Sequence, residues 1–184
     1  MGDGKNEDCL SSWLFSKRMS KYGLTVHPEK TRLVRFEPAD AFDTNTEDRG
    51  QPEPGTFDFL GFTHYWGGTR KGAWVVKRKT AKSRLKRALQ ALSDWCRKNR
   101  HEPIGSQHRT LLQKLRGHYG YYGIIGNCPS LQTFLEAARK IWRHWLTRRC
   151  GSDRMPWLAF LRLEEQYDLP RARVVHGLAT RAAK

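Results

Sequence analysis

The sequence predicts an α+β chain in which a short β-hairpin is followed by a helical bundle of three to four helices. Three observations carry this prediction. Aromatic and β-branched residues cluster before about residue 78, long apolar stripes spaced by three or four residues follow it, and glycines and prolines punctuate the joins. At 184 residues the chain is long enough for one domain with a proper core, or for two small modules.

Each element has its own signal. From Leu10 to Tyr22 the apolar residues fall loosely at helical spacing, and Gly23 follows where a helix commonly stops. Leu24 to Val26 and Thr31 to Phe36 read as two short strands around a turn broken by Pro28. Residues 37–55 collect prolines, glycines and six acids, a composition that buries too little surface to order itself, and a surface loop is expected. Phe57, Phe59, Phe62, Tyr65 and Trp66 then form an aromatic cluster, with Gly67 and Gly68 as the turn of a hairpin that returns through Ala73 to Val76. Phe59 and Phe62 are expected in the core.

Thr80 reads as the N-cap of a helix with the stripe Leu85, Ala88, Leu89, Leu92 and Trp95. A second helix starts near Ser106, with Leu111, Leu112, Leu115, Tyr119 and Tyr122 facing inward and Gly123 or Gly126 near its end. A third begins after Pro129 and carries the most regular stripe, from Leu131 through Phe134, Leu135, Ala138, Ile141 and Trp142 to Trp145 and Leu146. The tryptophans of that stripe are read as core. Pro156 opens a fourth helix with Trp157, Leu158, Phe160 and Leu161 turned inward. The tail from Pro170 to Lys184 is basic with little periodicity, and its last dozen residues are expected to order only with a partner.

Charge then narrows the function. With 34 Lys and Arg against 18 Asp and Glu, the formal net charge is +16. Residues 1–58 hold 8 basic and 11 acidic side chains, so residues 59–184 hold 26 and 7. Such a concentrated positive field attracts phosphate backbones and releases their counterions, which favours nucleic acid over a membrane surface as the partner. No stretch approaches the roughly 18 apolar residues of a membrane span, and no basic start precedes an apolar segment at the N-terminus, so a soluble, cytoplasmic chain is expected. Cys9, Cys96, Cys128 and Cys150 stand far apart, with no C-x-x-C pair and no histidine at ligand spacing, so a reduced protein without a zinc site is expected.

Three motifs in order carry a resemblance. Gly23-Leu24-Thr25-Val26-His27-Pro28-Glu29-Lys30-Thr31, then Phe57-Asp58-Phe59-Leu60-Gly61-Phe62, resembles the last palm motifs of group II intron reverse transcriptases. Leu115-Arg116-Gly117-His118-Tyr119-Gly120-Tyr121-Tyr122 and the tryptophan-rich helix after it resemble the maturase-specific thumb, or domain X, of that family. The resemblance implies that residues 1–78 are the C-terminal part of a palm and 79–184 the thumb.

The family's polymerase chemistry needs paired carboxylates holding two metal ions. This sequence contains no Asp-Asp pair, so the chain alone is expected to be inactive in DNA synthesis, with Mg²⁺ entering only if a complete palm is supplied in trans. The paired cysteines and histidines of the family's endonuclease are also missing. The resemblance therefore implies an RNA-binding fragment that holds group II intron RNA and assists its folding and splicing. Two other expectations stand beside it: a thumb and primer-grip subunit that joins a separately encoded fingers–palm chain on a template–primer duplex, and a decayed remnant that binds RNA without selectivity.

The candidate binding residues follow from charge and resemblance together. Lys30 is either a phosphate contact or a solvated turn lysine. Leu60 and Gly61 stand where the resemblance implies a primer grip, with Gly61 allowing close backbone approach. Lys77, Arg78, Lys79, Lys82, Arg84, Lys86 and Arg87 put seven cations into eleven positions with no acid among them, a repulsion that phosphate relieves. Arg109, Lys114, Arg116 and His118 form a second basic group, in which His118 is either a contact or a core histidine. Tyr121 points away from the stripe shared by Tyr119 and Tyr122 and is the candidate for stacking on a base.

Overall fold

The computed structural model describes residues 13–27, 31, 34, 36, 38, 55–149 and 155–177. The α+β class holds: a three-stranded antiparallel sheet precedes a set of helices. Residues 13–20 form α1. Then come β1 (Phe57–Phe59), β2 (Phe62–Gly68), β3 (Trp74–Thr80), α2 (Lys82–Lys98), α3 (Ile104–Tyr122), α4 (Cys128–Thr147) and α5 (Trp157–Gln166). The strands follow one another in the order β1-β2-β3. The chain divides into two compact units, Met1–Phe57 with Trp66–Val75, and Asp58–Tyr65 with Val76–Lys184. Of the expected strand over 31–36, Thr31, Val34 and Phe36 are described and none of them is in a strand; residues 32, 33 and 35, most of the loop 37–55, Lys30 and residues 178–184 lie outside the described residues.

In the first unit, α1 ends as its glycine demands. Gly23 has φ +70, its N–H bonds the Ser20 carbonyl and the Leu24 N–H bonds the Met19 carbonyl, the paired bonds of a left-handed glycine cap. Leu24 to Val26 is irregular rather than a strand, because the chain leaves this cap with no neighbouring strand to pair with among the described residues. Phe36 meets Phe57 edge to face at 4.8 Å and Trp66 at 5.4 Å. Gly67 and Gly68 end β2 instead of forming the turn. The reversal lies at 69–73, where Thr69 and Ala73 exchange hydrogen bonds and Gly72 takes φ +83.

The second unit holds the main core. Leu92 and Cys96 of α2, Leu111, Leu115 and Tyr119 of α3, and Leu131, Phe134, Ala138, Trp142 and Leu146 of α4 are all buried. These are the positions that the helical period selects, and each stripe faces the others because only mutual burial removes so much apolar surface from water. The tryptophans of α4 satisfy their ring N–H groups inside the core. Trp142 donates to Gln107 Oε1 at 3.1 Å, and Trp145 donates to Ser93 Oγ at 3.1 Å. Gln107 is itself buried and donates to the Glu102 carbonyl at 2.8 Å, so no polar atom of this pair is stranded.

Two helical expectations need correction. Thr80 does not cap α2; Ala81 holds that position, and the Thr80 side chain is engaged elsewhere. In α5, Phe160 is fully buried, but Leu158 is 62% exposed and Trp157 lies at the surface with the guanidinium groups of Arg139 and Arg143 over its ring, at 5.5 and 5.2 Å. Leu163 and Leu169 take the inner places instead. Arg139 and Glu164 tie α4 to α5 with a bidentate ion pair, one limb of which is 2.7 Å.

The tail also departs from expectation. Residues 170–177 lie along α3 as a strap. The Tyr119 hydroxyl donates to the Pro170 carbonyl at 3.1 Å, and the Val175 and His176 N–H groups both reach the Gly123 carbonyl, at 2.7 and 2.8 Å. The strap orders because Gly123 has no side chain. A Cβ there would collide with the Tyr119 carbonyl and stand 3.0 Å from the Val175 nitrogen. Among the described residues, no helix is long and apolar enough to cross a membrane.

Candidate nucleic-acid interface

The connection between β1 and β2 is the smallest that a hairpin allows. Leu60 and Gly61 both take positive φ, +49 and +83, as a two-residue turn of the mirror-image type requires. Leu60 is the only non-glycine among the described residues in that region, and its side chain is 67% exposed. The turn is held from three sides. The Tyr121 hydroxyl donates to the Leu60 carbonyl at 2.8 Å, the Ala81 N–H donates to the Gly61 carbonyl at 3.0 Å, and Phe62 packs on both Tyr121 and Tyr122. Gly61 is needed here for internal reasons: an added Cβ would lie 3.1 Å from the Tyr122 hydroxyl and 3.7 Å from Arg84 Cγ.

Asn127 locks the same corner. It is fully buried, and its side chain accepts from the Thr80 N–H at 2.9 Å while donating to Thr80 Oγ1 and to the Tyr122 carbonyl, each at 2.8 Å. Its own carbonyl receives the Ser130 and Leu131 N–H groups at the start of α4. One residue thus joins the end of β3, the end of α3 and the first turn of α4 through its side-chain amide and its backbone carbonyl. Sequence reasoning missed this residue, since nothing local distinguishes it from a surface cap.

The corner presents an exposed apolar knob beside cations. Phe59 is 58% and Tyr121 54% exposed. Phe59 was expected in the core; the tight turn after it leaves its ring outside, 6.4 Å from the His64 ring. It joins Tyr121 as a surface aromatic able to stack on a base, and the signal that finds it is its place next to a two-residue turn. Arg84 reaches this corner along Gly61.

The remaining candidates divide into groups. Lys82, Arg84, Lys86 and Arg87 are all exposed on α2. Lys82 and Lys86, one turn apart, border a shallow hollow of 440 Å³ with Leu85, Leu89 and Ile141. On β3, Arg78 and Lys79 are exposed, Lys79 over the Tyr65 ring at 4.8 Å, and Lys77 is half-buried. Arg109, Lys114 and Arg116 are exposed on α3, but Lys114 rests over the Trp95 ring at 5.4 Å.

His118 is withdrawn from this group. Its ring stacks on Phe134 at 3.7 Å and leans on Tyr122 at 4.6 Å, and its Nε2 is buried without a hydrogen-bond partner among the described residues. Burial holds its pKa down at about 4, so it is neutral at pH 7 and contributes no positive charge to a phosphate contact. Cys96 is likewise a core group, its thiol pushed up to about 12 by desolvation despite the nearby Lys114.

Comparison with known proteins finds no matching family model, no similar curated protein and no similar solved structure.

Proposed function

We propose that this chain binds structured RNA, and that the RNA is a group II intron whose folding and splicing it assists. The observation that carries the reading is the set of exposed cations on α2 and β3, with no acid among them, and a corner that offers Phe59 and Tyr121 to unpaired bases. Cations of one sign at adjacent helical positions repel one another, and a phosphate backbone converts that repulsion into attraction. Phosphate contacts set the position of the strand, and the aromatic corner supplies selectivity. The resemblance of the palm-end and thumb motifs supports a group II intron as the RNA.

The test is competition among structured group II intron RNA, random structured RNA and duplex DNA over a salt series. Intron RNA is expected to stay bound at salt that releases the other two. Release of all three together would reject selective recognition and leave the third expectation, a generic polycation.

One observation favours a second reading, the subunit of a split polymerase. Trp13, Leu14 and Phe15 of α1 are each at least half exposed, an apolar patch that a fingers–palm chain would cover. Primer extension on addition of such a chain, lost on Trp13→Ser and Phe15→Ser substitution, would establish it.

A further inference from the structure

The strap along α3 carries arginines at alternate positions, and α3 carries one beneath them. Arg171 and Arg173, two residues apart, line a cavity of 260 Å³ together with Arg116, Tyr119, Pro170 and Val175. Arg116 stands one turn before Tyr119 on α3, and Tyr119 is the residue whose hydroxyl fixes Pro170. The strap is anchored on both sides of the two arginines, at Pro170 and at Val175 and His176. Among the described residues, none of the three arginines has a carboxylate within ion-pair distance; Arg171 also borders a neighbouring hollow that contains Glu164, Glu165 and Asp168. Three arginines thus line one cavity without an ion-paired acid among the described residues, and guanidinium is the side chain that meets phosphate with two parallel hydrogen bonds.

We propose that this notch is a phosphate seat, built jointly by α3 and the C-terminal strap, and that filling it fastens the strap to the helix. The ligand class is the phosphate group of a nucleic-acid backbone, a source that rests on the RNA-binding reading. Because two of the three arginines lie on the strap, phosphate bound there favours the docked strap, and strap docking raises phosphate affinity by the same factor.

The experiment uses the full chain in sodium phosphate and in sodium chloride of equal ionic strength, with hydrogen exchange at the Val175 and His176 amides as the readout. Phosphate is expected to slow both amides several-fold, chloride to leave them unchanged, and the Arg171→Gln/Arg173→Gln variant to lose the effect. Arg116→Gln is expected to lose it as well without altering the strap, which covers the case in which the double variant detaches. In parallel, R171Q/R173Q should weaken binding of an RNA stem–loop roughly tenfold at 0.15 M salt and flatten the salt dependence by between one and two powers, while Lys98→Gln/Lys140→Gln changes it less than threefold. Equal effects of the two salts, persistence of the phosphate effect in either arginine variant, or equal RNA losses from both double variants would overturn the seat. Phosphate protection in a chain that binds no RNA would overturn the nucleic-acid source and the RNA reading together. RNA binding that is unchanged in R171Q/R173Q would overturn the seat alone.

Discussion

His118 shows how a single side chain changes meaning when its surroundings are known. In the sequence it sits between Arg116 and three tyrosines and reads as part of a basic group. In the fold it fills a slot between Phe134 and Tyr122, where desolvation lowers its pKa from the ordinary 6.5 to about 4. The unfolded chain therefore takes up a proton that the folded chain refuses. The stability associated with the neutral ring is fully present above pH 6.5 and is lost progressively as pH falls from 6.5 through 4. Melting temperatures measured between pH 7.5 and 4.5 should fall on acidification, and His118→Phe, which keeps an aromatic ring against Phe134, should flatten that fall. A variant with the same pH profile as the parent would place the titrating group elsewhere.

At the scale of elements, the helices were legible because an apolar stripe on a helix has one way to be buried. The spacing of Leu131, Phe134, Leu135, Ala138, Trp142 and Leu146 alone orients α4, and all six are buried. Shorter elements lack that redundancy. In α5 the Trp157-Leu158 pair looked apolar and inward, yet Arg139 and Arg143 make the surface attractive to Trp157, a contact contributed by residues fourteen or more positions away. The corner of Leu60, Thr80, Tyr121 and Asn127 and the strap were illegible for the same reason. Their hydrogen bonds join residues 47 to 61 apart, for which no local period exists. Of the candidate interface, the cations could be found by counting, whereas the exposure of Phe59 and the withdrawal of His118 depend on how distant segments meet. The strap yields a prediction at this scale. Gly123→Ala inserts a methyl where the Tyr119 carbonyl and the Val175 nitrogen already stand, and overpacking of this kind costs about 1–3 kcal/mol. Amide exchange at Val175 and His176 should rise at least about fivefold while Leu111 and Leu115 stay protected. Gly120→Ala, whose added methyl meets nothing within 4 Å, should leave the strap in place. Equal loosening by both would mean that Gly123 is not its anchor.

Across the whole molecule the charge is lopsided, with an excess of 19 cations in residues 59–184 against a slight acidic excess in 1–58. Two electrostatic regimes make different demands on that distribution. If RNA responds only to net charge, any cation is worth about as much as any other. If it seats on a defined surface, only cations at that surface release counterions, each steepening the dependence of log K on log salt by about 0.7 to 0.9. Lys82, Arg84, Lys86 and Arg87 are suited to separate these regimes. All four are exposed, glutamine has a helix propensity close to theirs, and removing four like charges from one helix relieves repulsion rather than harming the fold. The fourfold glutamine variant should therefore keep the parent's melting temperature while its salt slope for RNA falls by about 3. Neutralising Lys17, Arg18 and Lys21, which lie in or just after α1, removes nearly as much charge and should leave the slope unchanged. Equal flattening by the two sets would mean that RNA responds to net charge alone, and the surface formed by α2 and β3 would then have no special standing.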